Sequence, residues 1–404
     1  MINRGDRNIL HLDLDTFFVS VERLLHPELE AKPLIIGGKG GRGVVASCSY
    51  ETRKFGVRSA MPMRMALQLC PEALVISGDM EAYSYYSKMI TEIIADQAPV
   101  FEKSSIDEFY LDLTGMDRFF GCYQWAQELR QTIVKETALP ISFGLSINKT
   151  VSKVATGEAK PNGKLYVQAG DEKGFLAPLP VRKLPMIGEK TYETLRIRGV
   201  ELVGILSQLP PLYLQQLFGK NGMELWRRAN GIDHSPVVPY SEAKSISTEQ
   251  TFQQDTIDVK KLKHILIGMT EKLAHKLRTG NRLTSCVTVK IRYTNFDTET
   301  RQLNIPYTAC DHALIRHVLE LFEKLYQRRM LLRLVGVRFS NLVSGNYQIS
   351  LFEDTPEQIS LYQAMDKIRS RHGTDKIMRA SGLGLVRKGK VENLFALKQM
   401  KTVA

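Results

Sequence analysis

The chain has 404 residues, 43% hydrophobic and 24% charged, which is enough apolar material for roughly two to four globular domains. No run approaches the ~20 apolar residues of a membrane span, and the opening MINRGDRNIL lacks a secretory leader's apolar stretch and cleavage site. Cys48, Cys70, Cys122, Cys286 and Cys310 are scattered with no C-x-x-C pair, so neither a zinc knuckle nor a disulfide framework is expected, and a reducing cytoplasm is.

Charge points to a partner. Lys plus Arg number 55 against 43 acids, a net +12, and residues 231–345 alone carry 17 basic against 11 acidic side chains. An excess of this size favours a polyanion, with nucleic acid the commonest.

Residues 8–15, NILHLDLD, alternate strictly, which predicts a strand with Leu10, Leu12 and Leu14 on one face and His11, Asp13 and Asp15 on the other. Phe17 to Leu25 continues as a helix that His26-Pro27 ends. KPLIIGG and GVVASCSY read as strands around the glycine-rich GGKGGRG at 37–43, and a helix closed by Pro71 follows. A helix from about Tyr83 to Ala95 precedes a strand over Ile106–Leu113. Then come a helix near 120–137, a strand at 141–147 and a helix that stops at AKPNG. From about residue 170 the pattern is of short helices, two of them flanking a Gly-centred hairpin at PMIGEKT, 185–191. Beyond the linker GIDHSPVVPYSEAKS strands return. TVKIRY sets Val289, Ile291 and Tyr293 against Thr288, Lys290 and Arg292, one apolar face and one basic. A helix near 311–328 and the strand RLVGVRFSNL complete a small α/β unit.

Two of these strands carry acids that need explaining. Asp107 and Glu108 head the run SSIDEFYLDL, and simple alternation would set Asp107 on the face of Phe109, Leu111 and Leu113. An unpaired carboxylate there costs several kcal/mol or becomes neutral. If this strand lies beside the one bearing Asp13, the three acids converge, and such hard oxygen donors suit Mg²⁺. Both Asp107 and Glu108 reach the same ion only if the chain bulges or turns at Ser105-Ile106. The alternative is a set of surface acids at strand ends, and these short patterns alone do not separate the two.

Longer motifs do. HLDLDTFFVSVE at 11–22, SYETRKFGVRSAMP at 49–62, SIDEFYLDL at 105–113, SFGLSINKTVSKVAT at 142–156 and AKPNG at 159–163 occur in that order. This series, extending from about residue 8 to 343, resembles the Y-family translesion DNA polymerases, most closely their DNA polymerase IV branch. The resemblance implies an α/β (α+β) fold in a right-hand polymerase architecture. The palm would be 1–26 and 76–168, the small fingers 27–75, and the helical thumb with its helix-hairpin-helix 169–232. A linker at 233–243, an α/β little finger at 244–343 and a tail at 344–404 follow. It further implies low-fidelity, template-directed synthesis by a monomeric enzyme of the cytoplasm, acting on primer–template DNA and deoxynucleoside triphosphates with two Mg²⁺ ions. Metal ligands would be Asp13, Asp107 and Glu108 with the Leu14 carbonyl. Triphosphate contacts fall on Tyr50, Arg53 and Lys160 and on the backbone of Phe17 and Phe18, and Phe18 matches the aromatic gate against a ribose 2′-hydroxyl. Ser247 stands where a typical relative has glycine, in KSISTEQTF at 244–252. A palm-type nucleotide cyclase and a non-catalytic DNA-binding subunit are the alternatives: the first has no use for the thumb hairpin, the second none for the three acids.

Other short patterns carry less. GGKGGRG lacks the G-K-[ST] of a Walker loop and reads as a flexible turn, and Met61, Met63 and Met65 read as core. The tail holds QISLF at 348–352 and QISLY at 358–362, both fitting the Q-x-x-L-[FY] pattern of sliding-clamp ligands. Gln348, Leu351 and Phe352 of the first copy are the expected clamp contacts. The second follows a helix start at Thr355-Pro356-Glu357, and Ile359, Tyr362, Ala364, Met365 and Ile368 form an apolar stripe there, so Leu361 and Tyr362 are expected in the core.

Overall fold

The computed structural model describes residues 7–116, 121–239, 241–345 and 356–373, with 376, 377 and 379. The chain divides into two compact units between Ser241 and Glu242.

The first unit begins with β1 (Ile9–Leu14) and α1 (Phe17–Leu25). β2 (Leu34–Gly37), β3 (Val45–Cys48), α2 (Tyr50–Lys54), α3 (Met63–Leu69) and β4 (Leu74–Ile76) follow. Then come α4 (Met80–Gln97), β5 (Phe101–Lys103), β6 (Glu108–Asp112), α5 (Cys122–Thr137), β7 (Ile141–Ser146), α6 (Lys149–Ala159) and β8 (Lys164–Tyr166). Five of the strands form one sheet in the order β5-β6-β1-β7-β8, antiparallel except for the parallel β7–β8 pair. Its two faces differ because the register sets like against like. Leu10, Leu12 and Leu14 lie beside Phe109, Leu111, Ile141, Phe143 and Leu145, all buried, under Val19, Ile90, Ile94, Leu129 and Ile133 from α1, α4 and α5. Burying each such side chain stabilises the fold by roughly 1.5–3 kcal/mol.

The opposite face is polar and is crossed by α6. Gly144 of β7 makes that approach possible, since a Cβ there would meet Ser152 O at 2.3 Å and Thr156 N at 2.5 Å. Thr156 Oγ1 donates back to the His11 carbonyl at 3.1 Å, tying helix to sheet.

A three-stranded sheet, β3-β2-β4, packs Ile35, Val45 and Cys48 against Val57, Met63 and Ala66. Of the three methionines expected in the core, Met63 is buried and Met61 packs beside it, but Met65 is half exposed, because it lies on the outer side of α3. Helices α7 (Glu172–Leu176), α8 (Glu189–Arg196), α9 (Val203–Gln208), α10 (Pro211–Phe218) and α11 (Lys220–Ala229) share a core of Leu176, Leu195, Val203, Leu206, Leu214 and Ala229.

The second unit is a four-stranded antiparallel sheet, β11-β10-β12-β9, made of β9 (Ser245–Thr256), β10 (Arg282–Tyr293), β11 (Thr298–Thr308) and β12 (Leu332–Ser344). α12 (Val259–Thr279) and α13 (Asp311–Leu325) cover one face, where Val287, Val289, Ile291 and Tyr293 are buried as their alternation predicts. Lys290 and Arg292 stand on the other, with Lys290 2.8 Å from Glu249.

α14 (Pro356–His372) docks on this unit as part of its core. Arg278 grips Asp366 through Nε and Nη2 at 2.6 and 2.9 Å and reaches Asp311 through Nη1 at 2.6 Å. Tyr362 is buried as expected, and its hydroxyl meets His312 Nδ1 at 2.8 Å. Met365 of the expected stripe is buried too, but the expectation for Leu361, Ala364 and Ile368 is corrected. Leu361 is 54% exposed and Ala364 and Ile368 are exposed too, because the docked face of α14 runs through Tyr362, Met365 and Arg369. Residues 348–352 lie outside the described residues.

Candidate active site

Asp13 and Glu108 are directly opposed in the antiparallel register of β1 and β6, so their side chains share the polar face at the end of β1. Asp107 is not on the strand: β6 starts at Glu108, two residues later than the sequence pattern suggests. The physical reason is Ser105. Its Oγ accepts from Asp107 N at 3.3 Å and Glu108 N at 3.1 Å and donates to Asp107 Oδ1 at 2.6 Å, while Ser104 N and Ser105 N both donate to Glu108 O. This turn takes Asp107 off the apolar face and leaves it partly exposed. Its carbonyl accepts from Leu14 N at 3.1 Å, which ties the turn to β1.

A row of ammonium groups faces the acids. Lys149 and Lys153 lie four residues apart on α6, and Lys160 follows just past its end. Lys149 Nζ sits 2.8 Å from both oxygens of Glu102, Lys153 Nζ 2.6 Å from both oxygens of Glu108, and Lys160 Nζ 2.5 Å from Asp13 Oδ1. Burial raises the Asp13 carboxyl from 3.8 to about 6 against the pull of Lys160, and the charges of Glu108 and Asp107 add to the rise. A buried acid beside two others is an arrangement that a cation would relieve. Among the described residues, no three His, Cys, Asp or Glu side chains close into a ready metal cluster; Asp13 and Glu108 are turned to their lysines.

Asp15 does different work. It is 1% exposed and accepts from Ser142 Oγ at 2.8 and 3.0 Å and from Asn162 N at 2.6 Å, fixing the segment after Lys160. The Tyr50 hydroxyl approaches Asp15 Oδ1 at 3.5 Å, and burial pushes its phenol above the usual range. Arg53 lies over the Tyr50 ring at 5.1 Å and donates from Nε to Cys48 O. Thr16 adopts a left-handed conformation (φ 44°) that swings the chain into α1 with no side-chain cap, leaving the first-turn amides, Phe17 and Phe18 included, without one. Phe18 stacks on Tyr83, ring centroids 4.3 Å apart at 11°.

The expected residues thus fall in two linked groups. Asp13, Glu108 and Lys160 meet at the ends of β1 and β6 with Asp107 on the adjoining turn, and Tyr50, with Arg53 over its ring, approaches them through Asp15. Lys153 and Lys149 escaped the sequence reading, whereas the turn at Ser105 is the one it required. The lysines were visible as the i, i+4 spacing in NKTVSKVATGEAK, on the flank opposite buried Val151 and Ala155.

Comparison with known proteins gives the family. Residues 12–157 match the family described as impB/mucB/samB, and residues 243–351 match its C-terminal domain. DNA polymerase IV of Dehalococcoides mccartyi is 38% identical over 375 residues, 92% of this chain and 96% of that protein. DNA polymerase IV of Methanoculleus marisnigri is 37% identical over 345 residues, 84% and 96% of the two. A solved Y-family DNA polymerase chimera superposes with a TM-score of 0.75 at 25% identity, covering 84% of this chain and 100% of its own. With the opposed acids on a polar sheet face and relatives matched over nearly their whole length, the chain belongs to the Y-family translesion DNA polymerases, on the DNA polymerase IV branch.

Proposed function

We propose that this DNA-directed DNA polymerase extends a primer 3′-hydroxyl at the mouth of the five-stranded sheet, on damaged as well as plain templates and with low fidelity. The observation that carries the reading is the opposition of Asp13 and Glu108 across β1 and β6, with Asp107 on the adjoining turn. In this reading the palm is 1–26 and 76–168, the fingers 27–75, the thumb 169–232, the linker 233–243 and the little finger 244–343.

Family membership implies use of a divalent metal. The three-acid donor set fits one, and Asp13, the Leu14 carbonyl, Asp107 and Glu108 would hold two Mg²⁺ ions. Bound there, they supply positive charge where negative charge builds during phosphoryl displacement. The chain's own groups do the rest. Lys160 and Arg53 bind triphosphate oxygens as a point charge and a fork, the Tyr50 hydroxyl adds a donor, and the first-turn amides of α1 at Phe17 and Phe18 favour an anion. Phe18 stands against C2′ of the sugar. The helical segment 172–229, with its turn at PMIGEKT, and the basic sheet face of the second unit suit backbone contacts that ignore base sequence. Those features also favour a polymerase over a nucleotide cyclase. The enzyme works as a cytoplasmic monomer whose Gln348, Leu351 and Phe352 engage the sliding clamp. Among the described residues no helix is long and apolar enough to cross a membrane.

Primer extension with Asp107→Asn tests the site. Incorporation should fall by orders of magnitude while primer–template affinity, measured by fluorescence anisotropy, stays within about twofold. Activity above about a tenth of the parent's rejects the assignment, since a tenfold loss is only ~1.4 kcal/mol of transition-state stabilisation.

A further inference from the structure

Glu108 is a metal ligand in the reading above, yet both of its carboxylate oxygens are already engaged. Lys153 Nζ is 2.6 Å from each. The ammonium is delivered by a fixed helix: Val151, Val154 and Ala155 of α6 are buried, and Thr156 is bonded to the His11 carbonyl. The contact itself is wet, with 33% of the Lys153 side chain and 22% of the Glu108 side chain exposed. A pair that solvent still reaches is easier to exchange than an enclosed one. Asp15 is the contrast, enclosed and bonded to Ser142 and Asn162. Of the two carboxylates, only Glu108 is held in an exchangeable way.

A divalent cation attracts a carboxylate about twice as strongly as an ammonium at the same distance and dielectric. Lys153 contacts both Glu108 oxygens, so a cation that takes either one displaces at least half of that grip. We propose that Lys153 is a positioning residue that acts as a placeholder: it holds the Glu108 carboxylate at the mouth of the sheet and yields it when a divalent cation binds. This inference rests on the reading of Glu108 as a metal ligand. It makes Lys153 a competitor for metal loading, whereas Lys149, which carries the same charge one turn earlier on α6, is engaged with Glu102 and competes for nothing at Glu108.

The test is Mn²⁺ binding to the full-length protein without DNA or nucleotide, with free Mn²⁺ followed by electron paramagnetic resonance at about 0.15 M salt. Lys153→Met should tighten Mn²⁺ binding roughly two- to fivefold, the range that the strength of a solvent-reached ion pair converts to. Lys153→Arg, which keeps a competing cation, should stay near the parent. Lys149→Met should gain less than half as much, and Glu108→Gln should weaken binding. A Lys153→Met protein that is folded by circular dichroism and binds Mn²⁺ no more tightly than the parent overturns the inference. So does an equal gain in Lys149→Met, which would reduce the effect to net charge. If Glu108→Gln leaves Mn²⁺ binding unchanged, the metal-ligand reading fails and the placeholder with it. Binding that needs Glu108 but ignores Lys153 sinks the placeholder alone.

Discussion

Phe18 owes its orientation to a small stack of buried groups. Its ring lies flat against Tyr83, and the Tyr83 hydroxyl donates to Glu22 Oε1 at 2.5 Å, both partners being buried. A buried aromatic with its polar end satisfied has little freedom to turn, so Phe18 has a rigid backing and cannot swing away from whatever faces its outer side. If that is the sugar, a 2′-hydroxyl meets a wall. Phe18→Ala should raise the ratio of ribonucleotide to deoxynucleotide kcat/KM by at least about tenfold, a difference of ~1.4 kcal/mol between the two transition states. Single-nucleotide incorporation with matched GTP and dGTP reads this directly. An unchanged ratio in a variant still active on dGTP returns Phe18 to simple packing. Its identity as an aromatic at the head of α1 was legible in HLDLDTFFVSVE, but Tyr83 and Glu22 were not, because their partnership spans 61 residues and no local pattern encodes it.

At the scale of elements, the site depends on how closely α6 lies on the sheet. Gly144 sets that distance, and Gly144→Ala would drive a methyl into the backbone of Ser152 and Thr156. Overpacking of this kind costs typically 1–3 kcal/mol. Chemical denaturation should show that loss, together with reduced incorporation because Lys160 moves with its helix. A fully stable, fully active Gly144→Ala would mean that the helix is free to shift. The docking of α14 has a parallel logic in charge. Burial would raise the Asp366 carboxyl, but the hydrogen bonds and charge of Arg278, with His275, hold it below its ordinary 3.8. A depressed acid stabilises above its unfolded value and loses that contribution as pH falls through the folded one, so docking should persist at neutral pH and weaken only below about pH 4. Asp311, Tyr362 and Arg369 also face this cluster. Asp366→Asn should speed amide exchange over 356–372 by roughly thirtyfold, about 2 kcal/mol for a buried pair in which Asp311 still answers Arg278. Exchange in β10 should not change, and protection of α14 equal to the parent's would show that apolar packing alone holds it. The sequence patterns gave the strands and helices correctly where period was regular, as over 8–15 and 288–293. They misjudged the start of β6, where one serine hydroxyl outweighs β propensity, and the outer face of α14, where a long-range Arg278–Asp366 pair chooses which stripe is buried.

For the whole molecule the open question is how a basic, sequence-blind enzyme is brought to a primer terminus. A net charge of +12 supplies affinity for any duplex, and that affinity falls steeply with salt. Localisation by a clamp would add an intramolecular advantage that charge cannot. Two Q-x-x-L-[FY] strings compete for this role, and the docked helix separates them. In the second string Tyr362 is 2% exposed, bonded to His312, and packed with Cys310, Ala313 and Met365, so one of the two apolar anchors is committed inside the second unit. Using it would require α14 to give up the Asp366 contacts to Arg278. Gln348, Leu351 and Phe352 precede that helix in the sequence. Two apolar anchors at the centre of a small interface commonly cost 2 kcal/mol or more when truncated, about thirtyfold in affinity. Leu351→Ala with Phe352→Ala should therefore abolish clamp-stimulated synthesis while synthesis without clamp persists. Leu361→Ala is the discriminating control: Leu361 is 54% exposed, so its removal leaves the helix folded. Loss of clamp stimulation in Leu361→Ala, with the Leu351 and Phe352 variant still stimulated, would transfer the contact to the second string and require α14 to undock on the clamp.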